Sequence, residues 1–258
     1  MEAVNGLAGS VEAKLGVSTN FAQVLTWLAI LVVGYLALQL LQGLGKGALK
    51  SVRGRGNLAL ILGQCGSGKT ALFFRLRDRD EEVQTVSSLT PIRDTLQIRV
   101  DEGEEAIGPL EVVDCPGHQR LRGKAAELLK DARCIIYVID SEDKQRMKDV
   151  AEHLYELLTH PEVLELHTPI LLTCNKCDLP SARPEKFIID EIDREIEQMR
   201  VSRAATLEGQ DQADSYLGVD GEKFKILEHA PCPVQTCRIS AKKVQLAPLY
   251  DFLRQQFA

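Results

Sequence analysis

The sequence has no surplus of positive charge, no disulfide rhythm, and one long stretch without any charge. Its net charge is −6, and without a basic excess a chain has little to displace the counterions around nucleic-acid phosphates. That argues against bulk nucleic-acid binding, and no nucleic acid is expected as a direct partner. The cysteines, at 65, 115, 134, 174, 177, 232 and 237, follow no framework spacing. Most fall in apolar runs or beside the motifs described below, so they read as reduced thiols facing a cytosol-like compartment. Cys174 and Cys177 have redox spacing, but Asn175 and Lys176 between them belong to another motif. A structural zinc site would want a second such pair; Cys232 and Cys237 are too far apart, and the chain has only five histidines. Hydrophobic content of 45% and charged content of 26% are ordinary for a globular protein. A length of 258 residues allows one large α/β domain or two small ones.

The uncharged stretch runs between Lys14 and Lys46. Within it Val24–Leu41 is apolar save for Thr26 and Gln39. At 1.5 Å per residue this reaches about 27 Å, near the thickness of a bilayer's hydrocarbon core. A cleaved signal peptide would want a basic leading region and a shorter apolar core; here Glu2, Glu12 and Lys14 precede the stretch. Lys46, Lys50, Arg53 and Arg55 follow it, which by the positive-inside tendency keeps the C-terminal side in the cytosol. A buried soluble helix would be apolar on one stripe, not all round. The expected organisation is an external segment 1–22, a single transmembrane helix 23–44, a basic tether 45–57 and a cytosolic nucleotide domain 58–258, with the lipid bilayer as a partner.

What the chain does possess is a complete phosphate loop. Gly63-Gln64-Cys65-Gly66-Ser67-Gly68-Lys69-Thr70 follows the apolar run Leu58–Leu62 and precedes a helix-compatible stretch from Ala71. That strand–loop–helix context is what the G-x-x-x-x-G-K-[ST] pattern needs. Glycines let successive N–H groups face one anion, and the helix start adds its positive dipole end. Gly63, Cys65, Gly66, Ser67, Gly68, Lys69, Thr70 and Ala71 are the expected phosphate contacts. Lys69 should reach the β and γ phosphates, and the Thr70 hydroxyl should hold Mg²⁺.

Downstream, Thr95–Val100 alternates strictly and predicts a strand with one exposed face near an edge. Pro109–Val113 predicts the next, and it runs into Asp114-Cys115-Pro116-Gly117-His118. A carboxylate at a strand's end across from the phosphate loop suits Mg²⁺, so Asp114 is expected there. Gly117 can turn its N–H to a γ-phosphate, which would put His118 near an attacking water. Cys134–Asp140 and Pro169–Cys174 read as buried parallel strands, separated by a helical pattern over Lys144–Leu158. The second ends in Asn175-Lys176-Cys177-Asp178, an N-K-x-D. Asp178 can accept from both N1–H and the 2-amino group of guanine, a pattern adenine does not offer. Asn175 would orient base and phosphate loop, and the Lys176 stem would cover the ring. Glu185–Arg203 predicts an amphipathic helix, and 204–222 a solvated surface insertion. A last strand, Val234–Ile239, leads into Ser240-Ala241-Lys242, whose backbone could meet guanine O6, and then a terminal helix, Ala247–Phe257.

These ordered motifs resemble the Ras-like small GTPases, more narrowly the Arf and Sar-like branch. With the anchor, the tether and the long stretch after Asp178, the chain resembles the β-subunit family of the signal recognition particle receptor. The resemblance covers residues 20–258. It implies a P-loop NTPase fold of the α/β class: a mixed, mostly parallel sheet with one antiparallel edge, helices on both faces and ligand at the strands' C-terminal ends. It also implies GTP and Mg²⁺ as ligands, endoplasmic reticulum membrane location, and a heterodimer with the receptor's α subunit docked on the GTP-bound switch surface. Ribosome and translocon come into range as further partners. Family members place a Thr or Ser hydroxyl on Mg²⁺ from the loop before the second strand; Thr85 is the first choice here, with Ser87 and Ser88 as alternatives. Two other readings stay open: an Arf/Sar-like trafficking GTPase with catalytic turnover, and a constitutive anchor in which GTP is a structural ligand. Translation-factor GTPases share Asp-Cys-Pro-Gly-His but add downstream β-barrels, and sixteen residues follow Lys242 here. No arginine is placed by sequence as a cis finger, so intrinsic hydrolysis is expected to be slow.

Overall fold

Strands form where apolar runs are bounded by turn residues, and helices where apolar positions recur at helical spacing. In chain order they are β1 (Leu58–Gly63), α1 (Lys69–Asp78), β2 (Ile92–Ile98), β3 (Ile107–Asp114), the short α2 (Arg122–Ala126), β4 (Ala132–Asp140), α3 (Met147–Leu158) and α4 (Pro161–Leu166). There follow β5 (Ile170–Asn175), the long α5 (Glu185–Leu207), the single turn α6 (Ile226–His229), β6 (Val234–Arg238) and α7 (Ala247–Phe257). The computed structural model describes residues 56–78, 88–98, 106–207, 217–219 and 221–257. The expected external segment, transmembrane helix, nearly all of the tether, Thr85 and Ser87 lie outside these residues. Among the described residues no helix is long and apolar enough to cross a membrane.

The strands make one six-stranded sheet in the order β2-β3-β1-β4-β5-β6. All neighbours pair parallel except β2 and β3. β1, β4 and β5 are apolar almost throughout because both of their faces are covered. Leu58, Leu60 and Leu62 of β1 join Ile135, Tyr137 and Ile139 of β4 under α3 and α5. Ala59 and Ile61 point the other way, joining Ile136 and Val138 beneath Leu72, Phe73 and Leu76 of α1 and Leu249, Phe252 and Leu253 of α7. The chain leaves β1 toward β2 and β3 and leaves β4 toward β5. The strand order therefore reverses between β1 and β4, where doubly wound sheets open a ligand crevice at the strands' C-terminal ends.

Several boundaries differ from the sequence expectation. β2 begins at Ile92, not Thr95: main-chain pairing of Ile92 to Asp114 does not depend on alternation, and Arg93 pairs with Glu111 at 3.0 Å across the ladder. α3 begins at Met147, not Lys144, because the Asp143 carboxylate accepts the Gln145 and Arg146 N–H groups at 3.1 and 3.3 Å and holds a turn. The 204–222 segment is not solvated along its whole length. Leu217 is buried in the core beside Phe224. The buried Arg200 of α5 donates to the carbonyls of Val219 and Glu222 at 3.0 and 3.2 Å, with its guanidinium 5.7 Å from the Phe224 ring. Residues 208–216 and Asp220 lie outside the described residues.

Candidate nucleotide site

The phosphate loop turns from β1 into α1 around one carbonyl. Gln64 C=O accepts from the Ser67 hydroxyl at 2.9 Å and from the Lys69 ammonium. Two more carbonyls are held by side chains from other loops. Cys65 C=O accepts from Arg146 Nη1 at 2.7 Å, and Ser67 C=O from Asn175 Nδ2 at 2.8 Å. In a trans peptide the following N–H points opposite to the carbonyl, so these bonds turn the Gly66 and Gly68 N–H groups away from Arg146 and Asn175. Gly68 has φ +94, and a Cβ there would run into the Asn175 amide, so both backbone conformation and space demand glycine.

Lys69 is almost wholly buried, and burial lowers its ammonium from the ordinary range, with the Asp114 carboxylate opposing. Thr70 Oγ1 donates to Asp114 Oδ2 at 2.6 Å. Asp114 is fully buried, and its Oδ1 has no hydrogen-bond partner among the described residues. Burial raises its carboxyl from the usual range, against the pull of the Thr70 hydrogen bond and Lys69. An unpartnered carboxylate oxygen beside a hydroxyl is a hard-oxygen donor pair, and it fits Mg²⁺ shared with phosphates. When bound, such an ion neutralises phosphate charge. Ser88, the third switch candidate, is described and half-buried.

Gly117 lies directly against the phosphate loop: a Cβ there would sit 2.6 Å from Lys69 Nζ. His118, one residue on, is exposed. Its Nδ1 accepts the Arg120 N–H at 3.2 Å, capping a short 3₁₀ turn over Gln119–Leu121. A neutral His118 ring therefore carries its proton on Nε2 and presents a donor outward.

At the other end, Asn175 bridges two loops. Besides holding Ser67, its Oδ1 accepts the Ala241 N–H at 3.0 Å. Asp178 Oδ1 accepts from the Ser240 hydroxyl at 2.6 Å, a bond that lowers its carboxyl from the usual range. Lys176 takes φ +65 and pairs with Asp140, the last residue of β4. The phosphate loop, Asp114, Gly117, Asn175, Lys176, Asp178 and Ser240–Lys242 thus gather at the C-terminal ends of the parallel strands. Ala71 lies in the first turn of α1, half-buried. Of the Ser240–Lys242 backbone donors, the Ala241 N–H is bonded to Asn175 Oδ1. The Lys242 N–H is without a partner among the described residues.

Comparison with known proteins fits this geometry. Residues 55–230 match the family model described as "Signal recognition particle receptor beta subunit". The chain belongs to that family. The human signal recognition particle receptor subunit beta is 35% identical over 202 residues, 75% of this chain and 71% of the human one. A structure described as that of the mammalian SRP receptor superposes with a TM-score of 0.66 at 30% identity, covering 77% of this chain and 98% of the other. A receptor SRb-GTP/SRX complex from Chaetomium thermophilum shares the fold with a TM-score of 0.61 at 18% identity, covering 77% and 99%.

In this member of the receptor β-subunit family, three residues reach the site unannounced by any motif. The Gln64 side chain donates to the Arg146 carbonyl at 2.6 Å, reciprocating the Arg146–Cys65 bond and clamping the phosphate loop to the start of α3. Arg75, buried on α1, donates through Nε to Ala241 C=O at 3.1 Å and through Nη2 to Lys242 C=O at 3.3 Å. Sequence gave no signal for these, since any carbonyl accepts such a bond.

Proposed function

We propose that this chain is a membrane-anchored guanine-nucleotide switch. It holds GTP and Mg²⁺ at the crevice between β1 and β4 and uses the GTP-ordered surface around Asp114–His118 to keep the receptor's α subunit at the endoplasmic reticulum membrane. The observation that carries this reading is Asn175, which ties the phosphate loop at Ser67 to the base loop at Ala241 in a receptor-β family chain. Gly63, Cys65–Ala71 and Gly117 then serve the phosphates; Thr70, Asp114 and Thr85 serve the metal. Asp178, Lys176, Ser240, Ala241 and Lys242 serve the base. The uncharged stretch and its basic flank support the anchor. His118 orients water, and with no arginine placed by sequence as a cis finger, turnover is slow and secondary. Free energy for capture comes from the α subunit's unequal affinity for the two nucleotide states. The test is capture of purified α subunit by the full-length chain in lipid nanodiscs, loaded with a non-hydrolysable GTP analogue or with GDP. Capture should need the GTP analogue and vanish in Lys69→Ala. Equal capture in both loaded forms, or retention by Lys69→Ala, would leave only a passive anchor.

A further inference from the structure

We infer that Arg75 is a positioning residue for guanine recognition, acting through the Ala241–Lys242 peptide. The inference rests on the guanine-nucleotide reading above and names a determinant of its base selectivity. Arg75 sits on α1, the helix that opens with Lys69 and Thr70, so it is rigidly linked to the phosphate end of the site. Its guanidinium fork crosses the sheet's end to hold two successive carbonyls of the base loop, those of Ala241 and Lys242. Among the described residues the Gly108–Pro109 bond alone is cis, so the Ala241–Lys242 peptide is trans. Pinning the Ala241 carbonyl to Arg75 therefore aims the Lys242 N–H the opposite way.

That direction matters because the loop has few donors to offer. The Ala241 N–H is used by Asn175 Oδ1, and the Lys243 N–H is bonded to Ser240 Oγ at 3.1 Å. The Lys242 N–H has no partner among the described residues. Guanine presents the acceptor O6 beside the N1–H and 2-amino donors. Asp178 supplies acceptors for those donors, and the Lys242 N–H is the complementary donor for O6. Recognition by a buried hydrogen bond discriminates sharply only when the bonding group is held in place. Arg75 does the holding, from a helix that moves with the phosphate loop.

The test compares analogues that alter one edge atom at a time. Affinities of the full-length chain for GTP, for 6-thio-GTP (a weak acceptor in place of O6) and for ITP (no 2-amino group) are measured for the parent, Arg75→Met and Arg75→Lys. The parent should prefer GTP over 6-thio-GTP by about tenfold, the worth of one well-placed hydrogen bond. Arg75→Met should shrink that preference to about twofold while leaving the GTP-to-ITP ratio, set by Asp178, unchanged. Arg75→Lys, which keeps one donor and most of the packing, should fall between and serves if the methionine variant does not fold. Equal weakening of all three nucleotides would show a structural role and overturn the inference, as would an unchanged 6-thio-GTP ratio. A parent that binds ATP as well as GTP would overturn the guanine reading and this inference with it.

Discussion

His118 commits its Nδ1 lone pair to the Arg120 amide. A ring so held carries its hydrogen on Nε2 and has no free lone pair there to receive another, so the chemistry it suits is aiming a water, not deprotonating one. A carboxamide can aim a water equally well. His118→Gln should therefore keep single-turnover GTP hydrolysis within about threefold of the parent, and His118→Ala should slow it by at least about tenfold, both with the α subunit present. Equal rates in the alanine variant would remove His118 from the reaction. The motif residues were legible in the sequence because ligand chemistry dictates residue types at fixed spacings: Gly68 must leave room for Asn175, and Thr70 must meet Asp114. Arg75 and Arg146 were not legible. They act on main-chain carbonyls 166 and 81 positions away, and no side-chain pattern marks the receiving end.

Element types and order were readable from apolar runs, but their ends were set by polar detail. Asp143 moved the start of α3, and the β3 ladder drew β2 three residues earlier than alternation suggested. The packing of α3 on β4 also contains a polar contact that periodicity hides. Tyr137 of β4 is fully buried, and its hydroxyl meets His153 Nδ1 of α3 at 3.1 Å with the rings edge to face. Burial pulls the His153 ring down to about 3, with Arg122 and Lys69 adding repulsion. The unfolded chain binds the proton near its ordinary 6.5. Below that value the unfolded state takes up more protons, so this contribution to stability is full above pH 6.5 and drains away toward pH 3. Between pH 7 and 5 the parent should lose about 1–2 kcal/mol more than His153→Gln, which keeps a polar side chain but does not titrate. Urea unfolding at the two pH values measures this. Parallel losses in parent and variant would mean that the ring is solvated in the folded state.

The site belongs to no single element. It draws on the loops after β1, β3, β4, β5 and β6, all at the same edge of the sheet because those strands are parallel. Asn175 and Arg75 close the circuit by tying the base loop to the phosphate loop and to α1. A ligand that bridges both ends therefore reinforces contacts holding α1, β5 and β6 together, and local opening of the base loop or the phosphate loop forfeits its binding energy. All the described residues fall in one compact unit, Gly54–Ala258, so this stabilisation should be read out as one unfolding transition. At a thousandfold excess over Kd, mass action contributes about 4 kcal/mol. For a domain of this size, each kcal/mol raises the midpoint by about 2–4 °C. GTP with Mg²⁺ should accordingly raise the thermal midpoint of the full-length chain by roughly 8–16 °C. Chelating the magnesium should reverse part of the shift, since Thr70 and Asp114 would lose the ion they share with the phosphates. ATP at the same concentration should leave the midpoint within about 2 °C of the unliganded protein, because its base offers Asp178 and the Lys242 N–H the wrong partners. An ATP shift as large as that with GTP would mean that the phosphate loop binds without the base loop reading anything.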